Sequence, residues 1–373
     1  MNSKIGGQAV IEGVMMRNGT KYAVSVRKPD GNIETKTEKA GKERTGLLKA
    51  PIIRGVVAFI DSLVIGVKTL TYSASFFEED EKDKKEEKPG NDKLLIGGTV
   101  AFSIVLGVAI FMILPWFISS LIGSRLNNPY LVAVIEGALR LLIFIAYIVG
   151  ISQMNDIKRV FMYHGAEHKS INCIESGLDL TVENVKKQSR CHKRCGTSFM
   201  FFVIFISIIV FMFIRVDNHL LQMALRLLLV PVIAGISYEI IRFFGNSENK
   251  VAVALSKPGF MFQNLTTREP DDDMIEVAIA SVEAVFDWRN FVGKVRKENE
   301  KARKAALAAA EKAEKEAKEK AEKLAKEAAE RAEKAEKEAA EKAEKAEKEA
   351  AERAEKAAKE ATEKAEKAEK EAA

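Results

Sequence analysis

Four apolar runs follow one another along the chain: Leu94 to Ile122, Tyr130 to Ile151, Thr197 to Ile214, and Leu220 to Phe244. They hold 29, 22, 18 and 25 residues, against the roughly 20 that a helix needs to cross the hydrocarbon of a bilayer. The pattern therefore predicts a mainly α, polytopic membrane bundle of about four spans, in segments 94–151 and 197–244. Ahead of them the periodicity changes. YAVSVRKPDGNIETKTE alternates like two strands around a Pro-Asp-Gly turn, and the glycine-rich IGGQAVIEGVMMR before it fits tight turns or close backbone packing, so residues 1–50 read as a small β-rich unit. From Pro51 to Phe77 the charges Arg54, Asp61 and Lys68 recur every seven residues. That is about two helical turns, so they line one face of an amphipathic helix lying in the membrane interface. The charged run Glu78 to Lys93 reads as a solvated linker.

Behind the fourth run, residues 245–290 form a further polar segment. Its PGFMFQNLTTREPDDD opens with turn residues and leads into a helix whose first turn carries Asp271, Asp272 and Asp273, where the helix dipole favours negative charge. Residues 291–373 are a low-complexity helical tail. From Ala328 an eleven-residue unit repeats, with alanine at positions 1, 5 and 8 and Glu four residues ahead of Lys. Alanine makes a weak stripe, so the tail reads as a long solvated helix rather than a firm coiled coil.

Charge then orients the spans. The connections near Arg125 and Arg215 are nearly free of lysine and arginine, whereas 152–196 carries Lys158, Arg159, Lys169, Lys186, Lys187, Arg190, Lys193 and Arg194. The positive-inside rule places that loop and both termini in the cytoplasm. From Lys301 onward 21 Lys and Arg face 21 Glu, so the net +5 belongs to the rest of the chain. A neutral tail is a poor nucleic-acid arm, so no direct nucleic-acid binding is expected and a protein partner is its candidate role. Within the spans, Glu136 and Arg140 are spaced as an i,i+4 pair, and Glu239 lies near enough to the cytoplasmic end to approach the loop.

The chemistry is concentrated in that loop. Six of the seven His and Cys residues lie between His164 and Cys195. His164-Gly-Ala-Glu167-His168 is the inverted zincin pattern: two imidazoles four apart share a helix face and can hold one divalent ion, with Glu167 beside them as a general base. Candidates for a third ligand are Cys191, His192 and Cys195, which sit within five residues, and Cys173 and Glu175, with Arg194, Arg268 and Glu269 as candidate contacts. Such a His/Cys set suits zinc or another divalent transition metal. Three cysteines in a reducing compartment read as free thiols or ligands.

Taken together, GGQAVIEGVMMR, the PDG turn, RGVVAF at Arg54, YHGAEHKSINCIE at Tyr163, HKRCGTSF at His192 and LTTREPDDDMIEVAI at Leu265 resemble the YqhQ family of bacterial membrane proteins. The resemblance spans roughly residues 1–290 and leaves out the tail. It implies a cytoplasmic-membrane protein with metal chemistry at His164, Glu167, His168, His192 and Cys195, and brings no substrate; it favours Cys191 least among the ligands. Two functions follow. One is a zinc-type hydrolase at the cytoplasmic face, acting on a membrane protein, peptide or lipid headgroup, with Arg194 or Arg268 steadying an oxyanion. The other is a non-enzymatic membrane factor whose metal folds the cytosolic part while its N-terminal unit and tail dock the insertion machinery or the ribosome.

Overall fold

The computed structural model describes residues 1–41, 45–77, 92–123, 125–126, 128–214, 216, 218–246 and 249–371; most of the predicted linker, and Arg215, lie outside them. The chain divides into two units, Met1–Lys297 and Glu298–Ala373.

The first unit opens with an antiparallel meander, β1 (Gly6–Val10), β2 (Gly13–Asn18), β3 (Lys21–Arg27) and β4 (Ile33–Lys39), in that spatial order. The Pro-Asp-Gly turn joins β3 to β4, with Gly31 at φ 85° where a side chain would be strained. The glycine-rich stretch forms the hairpin β1–β2, and its Gly13 serves close backbone packing, since a Cβ there would collide with the Ser25 carbonyl oxygen. Its residues are apolar without alternating because the sheet is covered on both faces. Val14, Met16 and Ala23 join one core, whereas Val10, Met15, Tyr22, Val24 and Val26 pack against Ile65 of α1 (Ile53–Ala74).

The three charges of α1 each reach a partner: Arg54 pairs with Glu239, Asp61 lies 3.6 Å from Arg17, and Lys68 pairs with Glu38. Its opposite side leaves Ile60, Leu63, Val64 and Val67 exposed. A close glycine contact seats α1 on a span-length helix, since a Cβ on Gly55 would lie 2.7 Å from the Gly235 carbonyl oxygen. Glu239 therefore serves α1 and is not free to approach the histidine cluster.

Among the described residues, four helices are long and apolar enough to cross a membrane: Gly97–Gly123, Tyr130–Ile151, Gly196–Phe213 and Leu220–Gly245. The first is built of α2 (Asp92–Val108), a π-turn (Ala109–Ile113) and α3 (Leu114–Gly123). Pro115 in α3 has no N–H for the carbonyl of Phe111, four residues back, which accounts for the irregular turn there. The others lie within α4 (Pro129–Ile151), α7 (Gly196–Phe213) and α8 (His219–Asn246).

Between α4 and α7 come α5 (Asn155–Glu175) and the short α6 (Val182–Lys186); after α8 come α9 (Lys250–Thr266), α10 (Asp272–Val285) and α11 (Trp288–Glu371). Pro258 and Gly259, expected in a turn, sit inside α9. Gly259 lets α9 approach α7, because a Cβ there would lie 2.6 Å from the Ser198 hydroxyl. The main core gathers Tyr163, Ala166, Ile171 and Ile174 of α5, the inner sheet face, Met274, Ile275, Ala278 and Val282 of α10, and Trp288 and Val292 at the start of α11. Asp272, in the first turn of α10, pairs with Lys186 at 2.8 Å.

Candidate metal centre

α5 is buried almost all the way round from Tyr163 to Ile174, so its polar side chains must find partners inside the protein. His164 and His168 lie one turn apart with ring centroids 4.4 Å from each other. Cys195 meets them from the N-cap of α7, with its sulfur 3.3 Å from His164 Nε2. One donor atom from each of the three falls within 4.8 Å of the others. Around a tetrahedral ion, with bonds of ~2.0 Å to nitrogen and ~2.3 Å to sulfur, donors sit roughly 3.3–3.6 Å apart, so the set fits with small adjustments.

Backbone carbonyls orient both rings. His164 Nδ1 lies 2.9 Å from the Thr266 oxygen and His168 Nδ1 lies 2.6 Å from the Arg190 oxygen. A carbonyl only accepts, so in each ring Nδ1 carries a hydrogen, and it is Nε2 that has the lone pair in the neutral ring. That is the arrangement in which an imidazole ligates through Nε2 while its other nitrogen is anchored behind it. The sulfur receives the Thr197 N–H at 3.3 Å, at a helix N-terminus whose dipole favours negative charge.

The crossing of 266–268 over α5 makes this possible. Arg268 N–H donates to the Phe161 carbonyl at 2.9 Å, and the Arg268 carbonyl sits so close to Gly165 that any Cβ there would collide with it. The glycine inside the HxxEH motif is thus a packing requirement of the centre.

Glu167 points to the sheet. A Cβ on Gly7 of β1 would lie 2.8 Å from the Glu167 Cδ, so Gly7 opens the space that the carboxylate fills. Burial pushes its pKa up to about 7, against the opposing influence of His164 and the Gly7 N–H, and Oε2 has no hydrogen-bond partner.

The remaining predicted residues divide plainly. His192 is beside the centre but engaged: Nδ1 accepts the Arg194 N–H at 3.4 Å and Nε2 faces Glu175 at 3.4 Å, while its backbone is held at both ends by the buried Gln263 amide. Burial first, then the Arg194 charge, lowers its pKa. The hydrogen bond and charge of Glu175 oppose this. Of the third-ligand candidates, the structure brings Cys195 to the pair, not His192.

Glu175 is a clamp. It accepts from Ser3 N–H at 2.7 Å, Ser3 Oγ at 2.6 Å and Arg194 at 2.7 Å. Burial works to raise its pKa, but the hydrogen bonds from His192 and Ser3 and the Arg194 charge outweigh it and hold the carboxyl well below the usual range. Cys173 lies in the apolar core with its sulfur 3.4 Å from the Asp179 carbonyl, and burial raises its pKa to about 11. The Cys191 thiol reaches Asn264 Oδ1 at 3.5 Å. Glu269 pairs with Lys169 at 2.7 Å. Arg268 donates to the Ser152 carbonyl at 3.3 Å and keeps a buried, unpartnered Nε.

Two contributors gave no signal of their own in the sequence: the Arg190 carbonyl, a group that every residue possesses, and Gln263, whose only mark was an amide in an apolar helix.

The "Uncharacterized protein YqhQ" of Bacillus subtilis (strain 168) is 36% identical over 288 residues, which is 74% of this chain and 90% of that protein. No solved structure matches. A family model described as "Protein of unknown function (DUF1385)" matches residues 50–288, a span holding all three donors and Glu167, so the chain belongs to that family, in agreement with its YqhQ-like motifs.

Proposed function

We propose that this chain is an integral-membrane, metal-dependent hydrolase with its centre at the cytoplasmic face of a bacterial inner membrane. The observation that carries the reading is the convergence of two carbonyl-anchored imidazoles and one sulfur on a common point. Three protein donors leave one tetrahedral position over, the pattern of catalytic rather than closed structural zinc sites. His164, His168 and Cys195 would hold the ion, which when bound supplies Lewis acidity toward a carbonyl or phosphoryl oxygen and acidifies water. Zinc suits the mixed nitrogen and sulfur donors.

The other side chains have their own tasks. The buried, unpartnered Oε2 of Glu167 supports its role as the proton acceptor. Arg268 retains an unpartnered Nε with which to steady developing negative charge, whereas Arg194 is engaged by Glu175. The substrate is a peptide or lipid headgroup presented at the membrane surface, beside the span-length helix that Cys195 caps.

Elemental analysis of the detergent-purified chain tests the first half: about one divalent ion per wild-type chain, and none with His168→Ala. Product profiling by mass spectrometry in native membranes tests the second. Glu167→Gln should keep the ion and abolish every wild-type-dependent product. The covering of Glu167 by β1 favours a second reading, a non-enzymatic factor with a structural ion. Under it, wild type and Glu167→Gln give identical product profiles, which would end the hydrolase proposal.

A further inference from the structure

A second polar assembly lies within the bundle. One oxygen of Glu136 on α4 accepts from Arg140, a turn further along, and from Arg226 on α8, each at 2.7 Å. Arg140 also donates to the Phe111 carbonyl at 3.1 Å, the acceptor that Pro115 leaves without its helical partner, and to Ser207 Oγ at 3.2 Å. Both guanidinium groups stand over the Phe211 ring, 5.1 and 5.3 Å from its centroid. Ser207 is about 18 Å along α7 from Cys195 at ~1.5 Å per residue, so the cluster is separate from the metal centre.

The charges do not balance. Arginine stays protonated in proteins, so two guanidinium groups against one carboxylate leave a net positive charge. Among the described residues of the four span-length helices the only other carboxylate is Glu239, and Arg54 holds it. The side chains of Arg140, Glu136 and Arg226 are 7%, 6% and 5% exposed, so water does not share the charge. Arg226 Nε is buried and has no hydrogen-bond partner. An uncompensated charge and an unmet donor in the same low-dielectric place are each costly, and one anion accepting from Nε relieves both.

We propose that the Glu136, Arg140 and Arg226 cluster is a binding site for one small inorganic monoanion of the halide type, seated against Arg226. Size follows from enclosure: side chains this buried leave no passage for a headgroup carrying acyl chains. Valence follows from the single excess charge.

Chloride is the probe. The full chain, purified in detergent, is titrated with sodium chloride against sodium gluconate at constant ionic strength, and its thermal unfolding midpoint is followed. Wild type should show saturable stabilisation by chloride and none by gluconate. Arg226→Gln should weaken the half-saturating concentration by about tenfold or more, the scale of one charge-assisted hydrogen bond. Glu136→Gln, which removes the competing carboxylate, should tighten it by a similar factor. Should Arg226→Gln fail to fold, the tightening in Glu136→Gln decides alone. Equal response to chloride and gluconate in wild type overturns the proposal. So does stabilisation by phosphatidylglycerol nanodiscs that is unaffected by withdrawing chloride, which would assign the site to a lipid phosphate.

Discussion

The centre on α5 and the charge cluster between α4 and α8 are both polar assemblies largely withdrawn from the surface, and they are satisfied in opposite ways. In the first, the side chains are anchored from behind by backbone carbonyls of Thr266 and Arg190, and their Nε2 atoms converge with the Cys195 sulfur. In the second, side chains pair with one another, one carboxylate between two guanidinium groups, and the excess charge and a single nitrogen of Arg226 are left over. Convergence held by the backbone keeps binding capacity in reserve. Mutual pairing consumes most of it and fixes helix positions, leaving only the Arg226 Nε and one excess charge. Losing a member should therefore cost stability in the cluster and ion binding in the centre.

The largest effect tests that division directly. Glu136→Ala leaves two guanidinium groups facing each other inside the bundle, and removing one partner of a buried pair costs about 3–5 kcal/mol. Unfolding of the detergent-purified protein should move by that amount while metal content in the folded fraction stays at the wild-type value. A loss of metal in the folded variant would show that the two assemblies are coupled. His168→Ala is the mirror experiment. It should weaken metal affinity by at least ~100-fold, beyond the ~10–100-fold typical of losing an outer partner of a ligand, with a smaller effect on folding. Metal titration with a competing chelator reads it.

Gly165→Ala sharpens the comparison from the backbone side. Its new methyl group collides with the Arg268 carbonyl, so 266–268 must lift from α5 and take the Thr266 oxygen away from His164. Overpacking of this kind costs about 1–3 kcal/mol. Metal affinity should fall by ~10–100-fold although no ligand has changed. Unaltered affinity would sever the link between the crossing segment and the ring it orients.

A smaller, pH-dependent effect belongs to Glu175. Its folded pKa lies below its ordinary value, so the stability it contributes is present above about pH 4.5 and is lost as the pH falls toward the folded value. The metal-free protein should accordingly lose its hold on Ser3 and Arg194 in acid. Glu175→Gln should flatten that limb of the stability curve. An unchanged acid limb in the variant would remove Glu175 as the clamp.

What was legible in the sequence follows the same physical line. Span lengths depend only on local composition, so all four apolar helices were visible, and the four-residue spacing of His164 and His168 follows from helix geometry. The β3–β4 hairpin announced itself through Pro-Asp-Gly. The β1–β2 hairpin did not, because a strand covered on both faces has no alternation to read. Pro258 and Gly259 look like a turn until Ser198 of α7 is known to press against them. His192 and Cys195 were equivalent as ligand types; they differ because Glu175 and Gln263 occupy one and leave the other facing His164. Those distinctions are set by neighbours distant in sequence, which a single chain's pattern does not encode.

The smallest expected effect concerns the second unit, Glu298–Ala373. Its helix displays no buried side chain among those described, and its ordered contacts are i,i+4 pairs such as Glu333 with Lys337 at 2.8 Å and Glu344 with Lys348 at 2.9 Å. Exposed pairs of this kind contribute about 0.3–0.5 kcal/mol each and are screened by salt. Alanine supplies helix propensity but little apolar area to bury. Removing residues 298–373 should thus lower the far-ultraviolet helical signal while metal stoichiometry and the unfolding midpoint of the remainder stay within error of the full chain. In the full chain, high salt should reduce helicity by no more than the portion that truncation removes and leave the rest unmoved. A truncated protein that bound less metal would mean the tail supports the centre, and the contrast between carbonyl-anchored and self-paired assemblies would need a third member.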